Sequence, residues 1–198
     1  MKGIITLIVL LAAIGIGLQQ SGLFDTRSAF RVVKEPGYHF ISKQCVGAFR
    51  QIPDSFKEVE AFLQQNGAGV SHNGVGVYFD DPKTVPEEKV RFSIGFGLSA
   101  SQAEVIASKV PAGYKLIEIP EGTVVETIFP YRHMFSPLLG ALRVWSDMER
   151  YIQKTPGLIW QGPAVEFYPK NVENISESIV YAVYQDARVN NLFSSLIE

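Results

Sequence analysis

Glu166 stands in the run Ala164-Val165-Glu166-Phe167-Tyr168, between two apolar neighbours. An ionised carboxylate in such a strand is costly to desolvate unless water or a donor meets it. It is therefore either a recognition group in a pocket or a solvated group on an open sheet face. Tyr168 shares its face by the two-residue period of a strand, as Asp80 shares that of Tyr78. Tyr131 and Trp145 are further candidates for the wall of a cleft, although Trp145 also fits an apolar helix face as core.

Other chemistries find less support. Asp80 and Asp81 are adjacent, so on a strand their carboxylates point to opposite faces, and Asp81-Pro82 reads as a turn. His39, His72 and His133 have no ligand-like or triad-like spacing. Cys45 is the only cysteine, which excludes an internal disulfide and a Cys-based zinc site. No Ser-His-Asp signature, P-loop or dinucleotide fingerprint occurs. No catalytic residue, metal or cofactor is assigned. The net charge is -2 and no basic stripe stands out, so nucleic acid is not an expected partner.

These residues need elements to hold them. Hydrophobic residues make up 46 % and charged residues 19 % of the 198, enough for a buried core. Two copies of one pattern are read along the chain. The first has strands at 30–34 and 38–47 around a Pro36-Gly37 turn, a helix at 53–66, and strands at 75–80 and 89–98. The second has strands at 114–119 and 123–129 around Glu121-Gly122, a helix at 137–154, and strands at 164–168 and 178–184. Ser136 is the expected N-cap of the second helix, ahead of Pro137, with Leu138, Leu142, Trp145 and Ile152 on its apolar face. Phe56, Val59, Phe62 and Leu63 serve the first, which Gly67 can end with a positive φ. By the offset between the copies, the counterpart of Glu166 is Tyr78. The expected fold class is α+β: two pseudo-symmetric βαββ-like repeats, each with an antiparallel sheet, around a central cleft.

The fold class also includes an N-terminal transmembrane helix. Ile4 to Leu18 is uncharged, and its flanks extend the run toward the roughly 20 residues that span a bilayer. A cleaved signal peptide competes with this single-pass anchor. The division is thus 1–24 anchor or signal segment, 25–29 linker, 30–186 binding domain and 187–198 short tail. The expected localisation is the membrane, on an undetermined side.

The stretch Val77 to Gly95, VYFDDPKTVPEEKVRFSIG, resembles a motif of GyrI-like small-molecule-binding domains, and Pro163 to Tyr168 is similar to a second. The chain also resembles the membrane-anchored, ER-phagy-related testis-expressed proteins of animals, through Val77 to Lys89 and Thr127 to Tyr131. The resemblance implies that Glu166 lies in a central pocket and pairs with a cationic or hydrogen-bond-donating ligand. Tyr78, Tyr168 and Tyr131 complete that ligand-binding set. Arg91 either balances Glu88 or Asp80 or touches the ligand. Three function classes follow: a membrane-tethered binder or sensor of a small molecule, an interaction protein of the ER-phagy type, and a hydrolase of electrophilic small molecules with Glu166 as general base. Asn174-Ile175-Ser176 is a glycosylation sequon in a predicted loop. Phe193 and Leu196 fit a permissive autophagy motif, or pack as part of a small terminal helix.

Overall fold

The computed structural model describes residues 25–70, 73–132, 135–169 and 178–197. Alternating apolar residues form eight strands: β1 (Arg31–Glu35), β2 (Tyr38–Val46), β3 (Gly74–Tyr78), β4 (Arg91–Leu98), β5 (Tyr114–Ile119), β6 (Gly122–Pro130), β7 (Ala164–Tyr168) and β8 (Ser178–Tyr184). Four helices interleave with them: α1 (Ile52–Gln65), α2 (Ala100–Ile106), α3 (Ser136–Lys154) and α4 (Ala187–Ser194). Gly67, at φ 80°, ends the first helix as its sequence requires. Ser136 is not the N-cap of α3. The helix begins at Ser136 itself, whose hydroxyl accepts from the Arg132 N–H at 2.9 Å.

All eight strands join one antiparallel sheet in the order β1-β6-β8-β7-β3-β4-β2-β5. This corrects the expected pair of sheets. Pro36-Gly37 does not join neighbouring strands: β1 pairs with β6, and β2 lies between β4 and β5. The order is unchanged when β1–β4 are exchanged for β5–β8 and the sequence of strands is reversed. Each copy has therefore lent its first strand to the other half.

Chain length dictates the sheet's shape. β1 and β2 are six places apart in the sheet, roughly 29 Å if it were flat. Two linking residues span at most about 11 Å. The same holds for β5 and β6 across Pro120-Glu121, so the sheet curls until its two ends approach. One apolar cluster draws on both ends and the middle: Val33, Phe40, Val75, Val77, Ile119, Val124, Val165 and Ala182 pack together inside the curl. The outer face is covered in two halves. Helix α1 places Val59 and Leu63 over Ile41 and Phe96, and α3 places Val144, Met148 and Ile152 over Val125, Phe129 and Ile179.

Among the described residues no helix is long and apolar enough to cross a membrane. The longest, α3, carries Arg143, Asp147, Glu149, Arg150 and Lys154. On this finding the transmembrane part of the fold class and the single-pass localisation are withdrawn. Segment 1–24, which carried both, lies outside the described residues, as do His72, His133 and the sequon at Asn174.

Candidate functional site

Strands β3 and β7 meet at the middle of the sheet. Their register sets Gly74 against Tyr168, Gly76 against Glu166 and Tyr78 against Ala164. The residue facing Glu166 is thus Gly76, not Tyr78. That glycine leaves room that a side chain would fill: a Cβ there would stand 2.8 Å from the Tyr78 hydroxyl. Gly74 gives similar room to Phe56 of α1, whose ring a Cβ would approach to 2.9 Å. Two small residues on β3 thus let the rings of Phe56 and Tyr78 lie across the sheet toward β7.

The register brings three of the expected site residues together. The Tyr168 hydroxyl donates to Glu166 Oε2, and it shares a 2.6 Å hydrogen bond with the Tyr78 hydroxyl. On the other side, Trp145 Nε1 of α3 donates to Glu166 Oε1 at 3.2 Å. Aromatic rings frame the group. Phe56 stands edge-on to Tyr168 at 5.4 Å, Phe49 to Tyr78 at 5.5 Å, and Trp145 to Tyr181 at 5.2 Å. Tyr131 is not in this chain of hydrogen bonds. It is buried in the cluster beneath α3, against which Tyr168 and Trp145 also pack.

Glu166 is 4 % exposed. Burial pushes its carboxyl up to about 7, while the Tyr168, Trp145 and Tyr78 donors pull it down. The site therefore holds a carboxyl that changes charge near neutrality. Burial, and then the Glu166 charge, raise the Tyr78 and Tyr168 hydroxyls well above the ordinary phenol value, so both are donors. The expected central cleft is closed over Glu166 by Tyr168, Tyr78 and Trp145. An open cleft of about 660 Å³ lies instead where the ends of the sheet meet, with Tyr38, Val75 and Phe167 in its wall. Phe167 alternates with Glu166 along β7, so that cleft opens to the inner face.

Helix α3 turns differently from its expected orientation. Its buried arc runs through Gly140, Val144, Met148 and Ile152. Leu138 and Leu142 are 60 % and 67 % exposed, on the side of the helix that carries Trp145. They form an apolar ridge beside the indole that reaches Glu166. Trp145 is both partly buried and a donor to the carboxylate, a role its place on an apolar face did not reveal. Sequence reasoning does not bring Phe49 and Phe56 to the site: Phe56 fits because Gly74 has no side chain, and Phe49 comes from the turn before α1 to stand against Tyr78 and Phe92. Arg91 balances Asp80 through hydrogen bonds of 2.8 and 2.7 Å. Asp81 accepts from the Lys83 N–H at 2.8 Å in the following turn. Among the described residues no group of three His, Cys, Asp or Glu could hold a metal ion.

This curled antiparallel sheet is that of a class of small-molecule-binding domains. The chain is a member of the GyrI-like family: the GyrI-like small molecule binding domain matches residues 28–183. Testis-expressed protein 264 homolog of Mus musculus is 33 % identical over 99 residues, which are 48 % of this chain and 31 % of that protein. The chain thus matches about a third of the length of that relative. The EcmrR–DNA complex superposes with a TM-score of 0.57 at 14 % identity, covering 93 % of this chain and 67 % of that one. The crystal structure of the EcmrR C-terminal domain gives 0.53 at 13 %, covering 79 % and 96 %. At these identities the two solved structures share the fold.

Proposed function

We propose that the protein binds an amphipathic or cationic small molecule on the outer face of the sheet, with Glu166 as the charged recognition group. The observation that carries this reading is the buried carboxyl held, among the described residues, by neutral donors and by no cation. A ligand cation entering between Trp145 and Tyr168 would supply the charge that burial withholds, and would draw Glu166 into its ionised form. Tyr78 and Tyr168 would supply aromatic walls and hydroxyls, and Tyr131 would back the wall beneath α3. The exposed Leu138 and Leu142 would meet the apolar part of the ligand.

A hydrolytic reading has one observation in its favour. A carboxyl titrating near 7 is suited to general-base work on water. An interaction protein reading a short motif at Phe193 and Leu196 is less favoured, because both side chains are fully buried.

The test is a thermal-shift ligand screen followed by calorimetry on Glu166→Gln. Charge recognition predicts an affinity loss of about 1.5–3 kcal/mol for a cation with the fold intact. A catalytic role predicts turnover slowed by orders of magnitude with binding little changed. If a ligand is found and neither quantity changes, Glu166 is not its partner.

A further inference from the structure

The inner face of the curl is closed by the end of the chain. Helix α4 and the 3-10 turn at Ser195–Ile197 place Val189, Phe193 and Leu196 against Phe40, Val77, Val124 and Val165. Apolar contact alone would make this a permanent part of the core, but the polar groups beneath it do not fit that description. Ser42 and Ser93 are both fully buried, and neither hydroxyl has a hydrogen-bond partner. The buried hydroxyls of Tyr38 and Tyr184 face each other at the limit of a hydrogen bond and have no further partner. In the helix itself, Asn190 leaves its Oδ1 without a partner. All five groups lie on the inner face or in the segment that covers it.

Most native buried polar groups are paired, and each unpaired one carries a desolvation cost that no partner offsets. The cost is concentrated at one interface and disappears when that interface opens to water. The same interface is held by side chains gripping the terminal backbone. Gln44 Nε2 donates to the Leu196 carbonyl, and Lys115 Nζ donates to the Ser195 carbonyl. The register sets Gln44 against Ser93 and Lys115 against Ser42, so each grip lies beside an unpaired hydroxyl.

We propose that residues 187–197 are a detachable cover, opening independently of the sheet. Opening hydrates Ser42, Ser93, Tyr38 and Tyr184 and joins the interior to the cleft at the ends of the sheet, which Tyr38 and Phe167 already line. It also presents Phe193 and Leu196, which the closed state hides.

Native-state hydrogen exchange of the full chain, resolved by mass spectrometry, tests the proposal. Amides of 187–197 should exchange at least about tenfold faster than those of β3, β7 and β8, since a sub-global opening costs less than global unfolding. Gln44→Ala should accelerate the terminal segment further and leave those strands unchanged. Ser42→Ala with Ser93→Ala should slow the segment about tenfold, because the closed state no longer buries unpaired hydroxyls. That direction separates a cover from ordinary terminal fraying. Exchange of the segment in step with β3, β7 and β8 would overturn the proposal. So would a serine pair variant that left the segment's exchange unchanged or accelerated it. Should that variant fail to fold, Gln44→Ala decides: a uniform change in segment and strands would equally overturn it.

Discussion

Glu166 gives the site its pH dependence. Its folded value, about 7, lies above the 4.5 of an ordinary Glu side chain. The folded state therefore holds a proton that the unfolded chain releases in between. The Glu166 contribution to stability is most favourable below pH 4.5, falls as pH rises to about 7, and is level above. Glu166→Gln removes that slope, so its advantage over the natural protein should grow by on the order of 3 kcal/mol from pH 4.5 to pH 8. Thermal melts of the two across this range check it. Tyr168→Phe should have the opposite effect on the carboxyl. It deletes the donor to Oε2 and the link to Tyr78, so Glu166 should titrate still higher, as read from the pH dependence of its stability. At this scale the sequence was partly legible. Period-2 alternation correctly put Glu166 and Tyr168 on one face. The partner across the strands was not legible, because an offset between copies does not determine register: Gly76 faces Glu166 and Tyr78 reaches the group through Tyr168.

The same division holds for the elements. Strand positions followed from alternation, and α1 from its spacing and from Gly67. Helix α2 was overlooked although its signature is present. Ser99 accepts from the Gln102 N–H at 3.3 Å, and the Gln102 side chain accepts from the Ser99 N–H at 3.0 Å. The reciprocal pair is a capping box, readable as S-x-x-Q. On helix α3 the structure buries Ile152 and part of Trp145 as spacing predicts but leaves Leu138 and Leu142 exposed, because spacing alone does not distinguish two apolar ridges on one helix. What fixes its rotation is Gly140, which sits against the Tyr181 hydroxyl that donates to the Pro137 carbonyl at 3.0 Å. A Cβ at 140 would fall 2.1 Å from that oxygen. Gly140→Ala should therefore destabilise the protein by about 1–3 kcal/mol through overpacking. Adding Tyr181→Phe should recover part of the loss by removing the clashing atom. A double-mutant cycle by denaturant unfolding reads the coupling, and additive losses would show that the contact does not control α3.

For the molecule as a whole, the exchange of first strands is the feature that sequence concealed. Pro36-Gly37 is short enough to join adjacent strands, and local spacing cannot distinguish that from a link across the ends of a curled sheet. The distinction resides in pairings such as Arg31 with Glu126, which lie 95 residues apart. A fragment of residues 25–112 and one of 113–197 should each lack a stable fold, because each has lost the strands that pair with its own. Mixed together they should regain the melting transition of the intact protein, as followed by circular dichroism. A transition in either fragment alone would contradict the exchange. The unchanged strand order has a consequence for ancestry. A single copy of the unit would leave its first strand and the partner edge of its second unpaired, and a second identical copy would satisfy both at once. The architecture is that of two interlocked units written into one chain, in which the segment between β4 and β5 makes covalent what two separate copies would have to reach by a concentration-dependent association.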